Sequence, residues 1–510
     1  MKDEQKNQAI RAVKDRATQL SWEFFHNRKK PWATVPVDGH RENYRIDQRD
    51  FRLLVTKILY EQLGGPPPKE LVRSCVEEFE MHALFKGQER ELFVRTAEEQ
   101  GHVYIDLVNN EWQAIQITPG LGWFIVDDPP VKFRRAPGMV SLPEPYHEGN
   151  CEDLKKVLGF LNIPPQNEIL FLAWLTYSLC PNKPYPIFVL TGVQGSAKST
   201  ITMVARALID PCVAKLIQPP RTERDLAIAA SNSHLIAIDN LSKIPPTFSD
   251  LMCTISTGGA YRERKYYTND GQEEIFEYRR PLIINGIGEF IERPDLLDRT
   301  ILIHVQAINE KQRRDERTFW PEFEEARPSI LSGLLETIMQ GLGKVDSIEL
   351  DSVPRMADFA KWGVAIEEDL GYPSGSFIAA YRANIEAAHT AAIEASPVAV
   401  LIYDYMVERN HRGFRGPALR LLQELTDFVE QREHVQAGNG SGNRSQKLVR
   451  KHPRWPKSAN QLSGEIARVE PNLAKMGIAV DRGRSNGRRW IALEWSTDGT
   501  TVEEAAAQNG

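Results

Sequence analysis

Residues Gly192, Val193, Gln194, Gly195, Ser196, Ala197, Lys198, Ser199 and Thr200 follow directly on the apolar run Ile187-Phe188-Val189-Leu190. A buried strand, a glycine-containing loop and a Lys-Ser-Thr that opens a helix leave few architectures open. Loop N–H groups turned inward and the positive end of a helix dipole form a cradle for phosphate oxygens. The pattern implies an ATP site: Lys198 is placed to reach the β- and γ-phosphates, and the Ser199 hydroxyl to ligate Mg2+. Ala197 stands where the usual pattern has a second glycine.

Two further strands carry polar ends. Leu235-Ile236-Ala237-Ile238-Asp239 ends in an acid, followed by Asn240. Asp239 is the second expected Mg2+ residue, through a water. Pro281-Leu282-Ile283-Ile284-Asn285 ends in an amide expected between the other two strand ends, where it would orient an attacking water. Arg293 and Arg299 follow in Arg293-Pro-Asp-Leu-Leu-Asp-Arg299. Arg299 first and Arg293 second are candidates to reach a phosphate held by a neighbouring copy. The plainer reading of Arg299 is a local charge pair with Asp298. Asn240 can position a water but cannot take its proton, so hydrolysis is either slow or assisted by another carboxylate such as Glu263.

Between these strands, Tyr261 to Arg280 reads as a hairpin around Asn269-Asp270-Gly271. Lys265, Tyr266 and Tyr267 near its tip are candidates for phosphate contact and base stacking on single-stranded DNA. The segment holds five basic and five acidic residues, so a merely solvated hairpin is the competing reading.

The chain has 510 residues and a net charge of −6, which suggests about three domains and no global attraction to nucleic acid. The basic charge is local instead. Residues 431–490 hold 13 Lys/Arg against 4 Asp/Glu. Ser458 to Lys475 is helix-like, and Ile478 onward forms two short strands around Asn486-Gly487 bearing Arg482, Arg484, Arg488 and Arg489. Helix plus basic hairpin is a winged-helix pattern in which the arginines meet phosphates and the helix enters a major groove, so duplex DNA is a second candidate ligand. A winged helix serving as a protein contact is the alternative.

The five cysteines form no C-x-x-C pair, and no apolar run approaches a membrane span. A cytoplasmic location with no membrane partner is expected. Residues 1–60 read as mainly helical with a break at Pro31 to Gly39, and Leu92 to Phe133 as a small β-rich unit. Pro137 to Gly149 reads as a linker and Gly438 to Ser445 as a flexible connection. The expected division is an N-terminal α+β domain (1–145), a nucleotide-binding core (146–345), a helical region (346–437), a winged helix (438–497) and a disordered tail (498–510). Strands alternating with helices after the phosphate loop imply an α/β fold with a parallel sheet.

The set from Gly192 to Arg299 resembles the ATPase of superfamily 3-type AAA+ helicases, in particular primase-helicases of phages, plasmids and integrated elements. Minichromosome maintenance helicases carry the same exchange as Ala197. The resemblance implies an AAA+ P-loop core, ATP and Mg2+ at subunit interfaces, a homo-oligomeric ring expected to be a hexamer, and movement on single-stranded DNA. No h-x-D-x-D strand is present, since Asp47 and Asp50 lie in a polar stretch, so a primase would be a separate partner. The competing function is an ATP-driven oligomeric switch or anti-phage defence ATPase without unwinding. A non-ring P-loop kinase is a weaker third, because no site for a substrate to be phosphorylated is evident.

Overall fold

A computed structural model describes residues 3–264, 273–286, 291, 293–308, 313–394, 396–409, 412–437, 455–485 and 488–495. The fold is mixed α/β. At its centre lies a parallel sheet in the order Ile236–Leu241, Leu282–Gly286, Ile187–Thr191, Thr300–His304. A bridge from Ile217 to Ile238 extends it beyond the first strand. All five residues of Ile187–Thr191 are buried, which is what a continuous apolar run demands. Alternation sends Phe188 and Leu190 into one core and Ile187 and Val189 into a second. Both faces are therefore covered, as the strand–helix alternation implied.

The first of these cores reaches far beyond the sheet. It takes in helix Glu168–Tyr177, the long helix Glu316–Lys344, and helices Ala357–Glu367 and Ser376–Glu394. It also takes in Val103, Ile105, Ile115 and Ile117 from the antiparallel meander Thr96–Val126. The opposite face of that meander, with Tyr104 and Ala114, packs on Val131 and Phe133. The expected boundaries at 145 and 346 thus cut through one continuous core. Period-2 strands and amphipathic helices mark which face is apolar but not which element covers it.

The reading of 1–60 as mainly helical needs a second correction. After helix Asp3–Gln19, strands Glu23–Asn27, Lys30–Val37 and His40–Arg45 form an antiparallel meander. Its turns place Arg28 (φ 49), Lys29 (φ 60), Asp38 (φ 46) and Gly39 (φ 93) in the left-handed region. That conformation matches the twist of two-residue hairpins, so Asp38-Gly39 is a turn rather than a helix break. Helices Arg49–Leu63 and Lys69–Phe85 close the unit over Trp22, Phe51 and Phe79.

The C-terminal unit begins at Pro397 rather than at 438. Helices Pro397–Glu408 and Ala418–Ala437 share one core with helix Ala459–Lys475 and with strands Ile478–Ser485 and Arg488–Trp495. A short strand, Phe414–Gly416, pairs with Arg488–Trp495 and completes a three-stranded antiparallel sheet. Helix Ala459–Lys475 runs through Pro471, where an early end was expected.

Among the described residues, no helix is long and apolar enough to cross a membrane.

Candidate functional site

The phosphate-loop geometry follows from its small residues. Gly192 has φ 141, and a Cβ there would lie 2.2 Å from the Val305 carbonyl oxygen, so only glycine fits. Ala197 caps helix Lys198–Ile209 in the left-handed region at φ 63. A methyl group is tolerated there at a cost of about 1 kcal/mol. Val193, Gln194 and Gly195 are exposed, Ser196 is buried, and Thr200 is half-buried in the first turn of the helix.

Lys198 is buried at 8% exposure, and its Nζ donates to the Gly192 oxygen (2.9 Å), the Val193 oxygen (2.8 Å) and Ser196 Oγ (3.1 Å). Burial lowers its pKa from the ordinary lysine value, and the Asp239 carboxylate opposes that shift. Ser199 Oγ donates to Asp239 Oδ1 at 2.8 Å, so the two expected metal residues meet across two elements. A hydroxyl and a carboxylate oxygen at this separation form a hard-oxygen pair of the kind Mg2+ prefers. The cradle, the ammonium and this oxygen pair fit a magnesium triphosphate.

Asn285 is buried at the end of the strand between the phosphate-loop and acidic strands. Its Oδ1 accepts from the Asn240 N–H (2.9 Å), and its Nδ2 donates to Thr202 Oγ1 (3.1 Å). The amide therefore ties the acidic strand to the phosphate-loop helix. Asn240 is exposed, at φ 59, where the register between the two strands shifts. Asparagine enters this left-handed conformation more readily than most other residues do, which gives a local reason for an amide at this position.

Arg299 and Arg293 lie away from this cluster. The Arg299 carbonyl accepts from the Ile187 N–H (2.8 Å), at the end of the phosphate-loop strand remote from the loop. A five-residue strand is about 16 Å long, which puts Arg299 out of reach of its own phosphate loop. Its guanidinium is paired with Asp295 at 2.9 Å, one helical turn back, and not with the expected Asp298. Asp295 also binds Arg355 at 2.6 Å. Arg293 pairs with Asp250 at 2.6 Å and donates to the Pro246 oxygen at 2.9 Å.

Strands Gly259–Arg264 and Glu273–Tyr278 pair antiparallel up to Arg264 and Glu273, as the hairpin pattern implied. Lys265, Tyr266 and Tyr267 lie outside the described residues. In the C-terminal sheet, register places Arg482, Arg484 and Arg489 on one face and position 488 on the other. The four arginines therefore do not form one surface. Arg482 pairs with Glu470 at 2.6 Å.

Two features carried no sequence signal. Arg313 Nη2 lies 3.4 Å from the point a Cβ on Gly195 would occupy, so a cation borders the loop from the segment after strand Thr300–His304. Beneath the loop helix, buried Arg95 binds Asp210 at 3.0 Å. Asp210 Oδ2 accepts from the His234 and Leu235 N–H groups, at 2.9 and 3.2 Å. Burial alone would raise the Asp210 carboxyl, but Arg95, Arg206 and His234 outweigh it and hold it below the ordinary range. This network joins the meander, the loop helix and the acidic strand.

His234 donates to the Ser178 carbonyl (2.6 Å) and is held by burial at about 4, against 6.5 in an open chain. Its neutral form favours the fold above pH 6.5. Below 6.5 the unfolded chain takes up the proton first, so stability falls until about pH 4. The loss is at most about 3 kcal/mol. Urea midpoints followed by tryptophan fluorescence should show this slope in the wild type and a flatter one in His234→Gln.

Residues 154–390 match the family model described as actinomycete integrative conjugative element replication protein. Residues 398–506 match the model described as AICE RepA C-terminal domain. Together the two span about two thirds of the chain. Over these two stretches the chain is similar to AICE RepA replication proteins. The expectation of a mobile-element replication protein is met at that level, and the boundary between the two matches falls beside Pro397, where the C-terminal core begins. No curated protein matches the chain. Similar solved structures include SCCmec type IV Cch, titled an active helicase (13% identity, TM-score 0.44, 96% of this chain and 94% of that one). Another is the apo NrS-1 C-terminal region (12%, 0.41, 96% and 99%). A full-length MCM homolog from Methanopyrus kandleri is a third (14%, 0.30, 67% and 90%).

Proposed function

We propose that this chain is a superfamily 3-type AAA+ helicase that binds ATP and Mg2+ at residues 192–200 and hydrolyses ATP between copies in a ring, moving on single-stranded DNA. The observation that carries the reading is the Asn285 strand, which lies between the phosphate-loop and acidic strands and is hydrogen-bonded toward both. Loop N–H groups and Lys198 hold the phosphates, while Ser199 and Asp239 hold the metal, which would neutralise charge on the transferred phosphoryl group. Asn285 and Asn240 orient water. Arg299, at the far end of the sheet, serves the neighbouring copy, with Arg293 as second candidate. Lys265, Tyr266 and Tyr267 grip the strand in the ring. The unit from Pro397 to Trp495 acts as a winged helix that meets duplex DNA through Arg482, Arg484 and Arg489, which share one face of its sheet.

One observation favours a switch without unwinding. Asn240 carries no carboxylate to take the proton of water. Strand displacement on forked DNA separates the two readings. The helicase reading expects ATP-dependent unwinding that disappears in Lys198→Ala. ATP-dependent assembly without unwinding on any fork would favour the switch.

A further inference from the structure

A cavity of about 1170 Å³ lies between the N-terminal unit and the nucleotide-binding module, and no phosphate-loop residue lines it. Nine Lys/Arg and four Asp/Glu line its walls, in a chain whose overall charge is negative. Some of that positive charge is matched locally: Arg135 binds Asp106 at 2.7 Å and Arg45 binds Asp47 at 2.6 Å. Arg134, Arg279 and Arg280 have neutral partners instead. Arg134 donates to the Ser231 oxygen and to Asn232 Oδ1, Arg279 to the Asn182 oxygen, and Arg280 to the Ala230 oxygen. Burial lowers the pKa of Arg134 and of Arg280 from the arginine value, although the Asp210 carboxylate opposes the shift at Arg280. Arg134 and Arg280 also bind carbonyls at the C-terminal end of helix Glu223–Asn232, where positive charge is favoured. Capping that helix accounts for two of the guanidinium groups.

Aromatic rings share the cavity with this charge. Trp32, Tyr44, Trp112 and Tyr278 line it, and the Arg135 guanidinium lies 3.9 Å over the Trp112 ring. Cations that neutralise phosphates and rings that stack on bases are the two components of single-strand recognition. The volume exceeds that of an ordinary small-molecule pocket and admits a few nucleotides. We propose that this cleft is a second nucleic-acid site, holding a short stretch of single-stranded DNA by its phosphodiester backbone, independently of bound nucleotide. A strand seated there touches the N-terminal unit and helix Glu223–Asn232, which leads into the acidic strand carrying Asp239.

The test uses the full chain without nucleotide, so that its failure leaves the proposed ATP site untouched. Photocrosslinking with a 20-mer of 5-iodo-deoxyuridine should label peptides carrying Tyr44, Trp112 or Tyr278, and a 20-base-pair duplex carrying the same base should not. Charge reversal on opposite walls, Arg45→Glu with Arg224→Glu, should abolish those crosslinks and weaken binding of a 20-mer of deoxythymidine about tenfold. The salt dependence of binding should fall by about 1.4 for two lost contacts. Arg45→Lys with Arg224→Lys should retain the crosslinks. Crosslinks confined to the hairpin at 261–280 outside Tyr278, or to the C-terminal unit, would overturn the proposal. Equal labelling by the duplex, or crosslinks unaffected by charge reversal, would do the same.

Discussion

Arg299→Ala is expected to slow ATP hydrolysis by about 10³-fold while changing nucleotide affinity only a few-fold. The loss follows from removing a cation that stabilises charge on the phosphoryl group in transfer. Affinity survives because the arginine stands at the end of the sheet remote from its own phosphate loop, with its carbonyl bonded to the Ile187 N–H. Its ion pair with Asp295 holds the guanidinium at that remote end of the sheet. Mixing makes the effect specific. Arg299→Ala subunits supply an intact loop and Lys198→Ala subunits supply an intact arginine, so mixed interfaces should regain steady-state hydrolysis. Mixtures as inactive as either variant alone would remove the in-trans role. The Asp295 pair would then be the whole account of Arg299.

Gly192→Ala is expected to weaken ATP binding by about 5- to 150-fold. The added methyl group would meet the Val305 carbonyl oxygen at 2.2 Å, and φ 141 is a conformation that side chains rarely adopt. Val305 cannot give way easily, because its own N–H donates to the Thr191 oxygen at 2.8 Å, which fastens it to the phosphate-loop strand. Strain of this kind costs about 1–3 kcal/mol, and the loop relieves it by leaving the position from which its N–H groups face phosphate. Lys198 is affected in turn, since the Gly192 carbonyl is one of its three acceptors. Titration with a fluorescent ATP analogue measures the loss. Thermal unfolding followed by circular dichroism should remain a single cooperative transition in the same protein, which shows that the chain is folded.

The central sheet was legible because burial on both faces writes an unbroken apolar run into each strand, and because a phosphate loop needs small residues at fixed spacing. The ends of those strands were legible for a related reason: Asp239 and Asn285 are polar residues that stop apolar runs. Other features left no local trace. The Arg95–Asp210 pair joins residues 115 positions apart, and neither one differs in sequence from a surface charge. Arg313 comes from a charged stretch in which no spacing sets it apart from its neighbours. The partner of Arg299 was recoverable, since Asp295 lies one helical turn before it, whereas the adjacent Asp298 points elsewhere on the helix. The N-terminal meander was hidden by proline and by charged residues on its strands, although Asp38-Gly39 marks one of its turns. The C-terminal unit was read too short because Phe414–Gly416 is only three residues long, and nothing in it announces a strand until Arg488–Trp495 pairs with it.

The claim on which the account rests is that Mg2+-ATP bound at the phosphate loop joins copies of the chain through Arg299. Sedimentation velocity with a non-hydrolysable ATP analogue, Mg2+ and single-stranded DNA tests it most directly. The account predicts a closed oligomer that forms with the analogue and fails to form in Lys198→Ala. A wild-type chain that sediments as a monomer at millimolar analogue, with and without DNA, would contradict it.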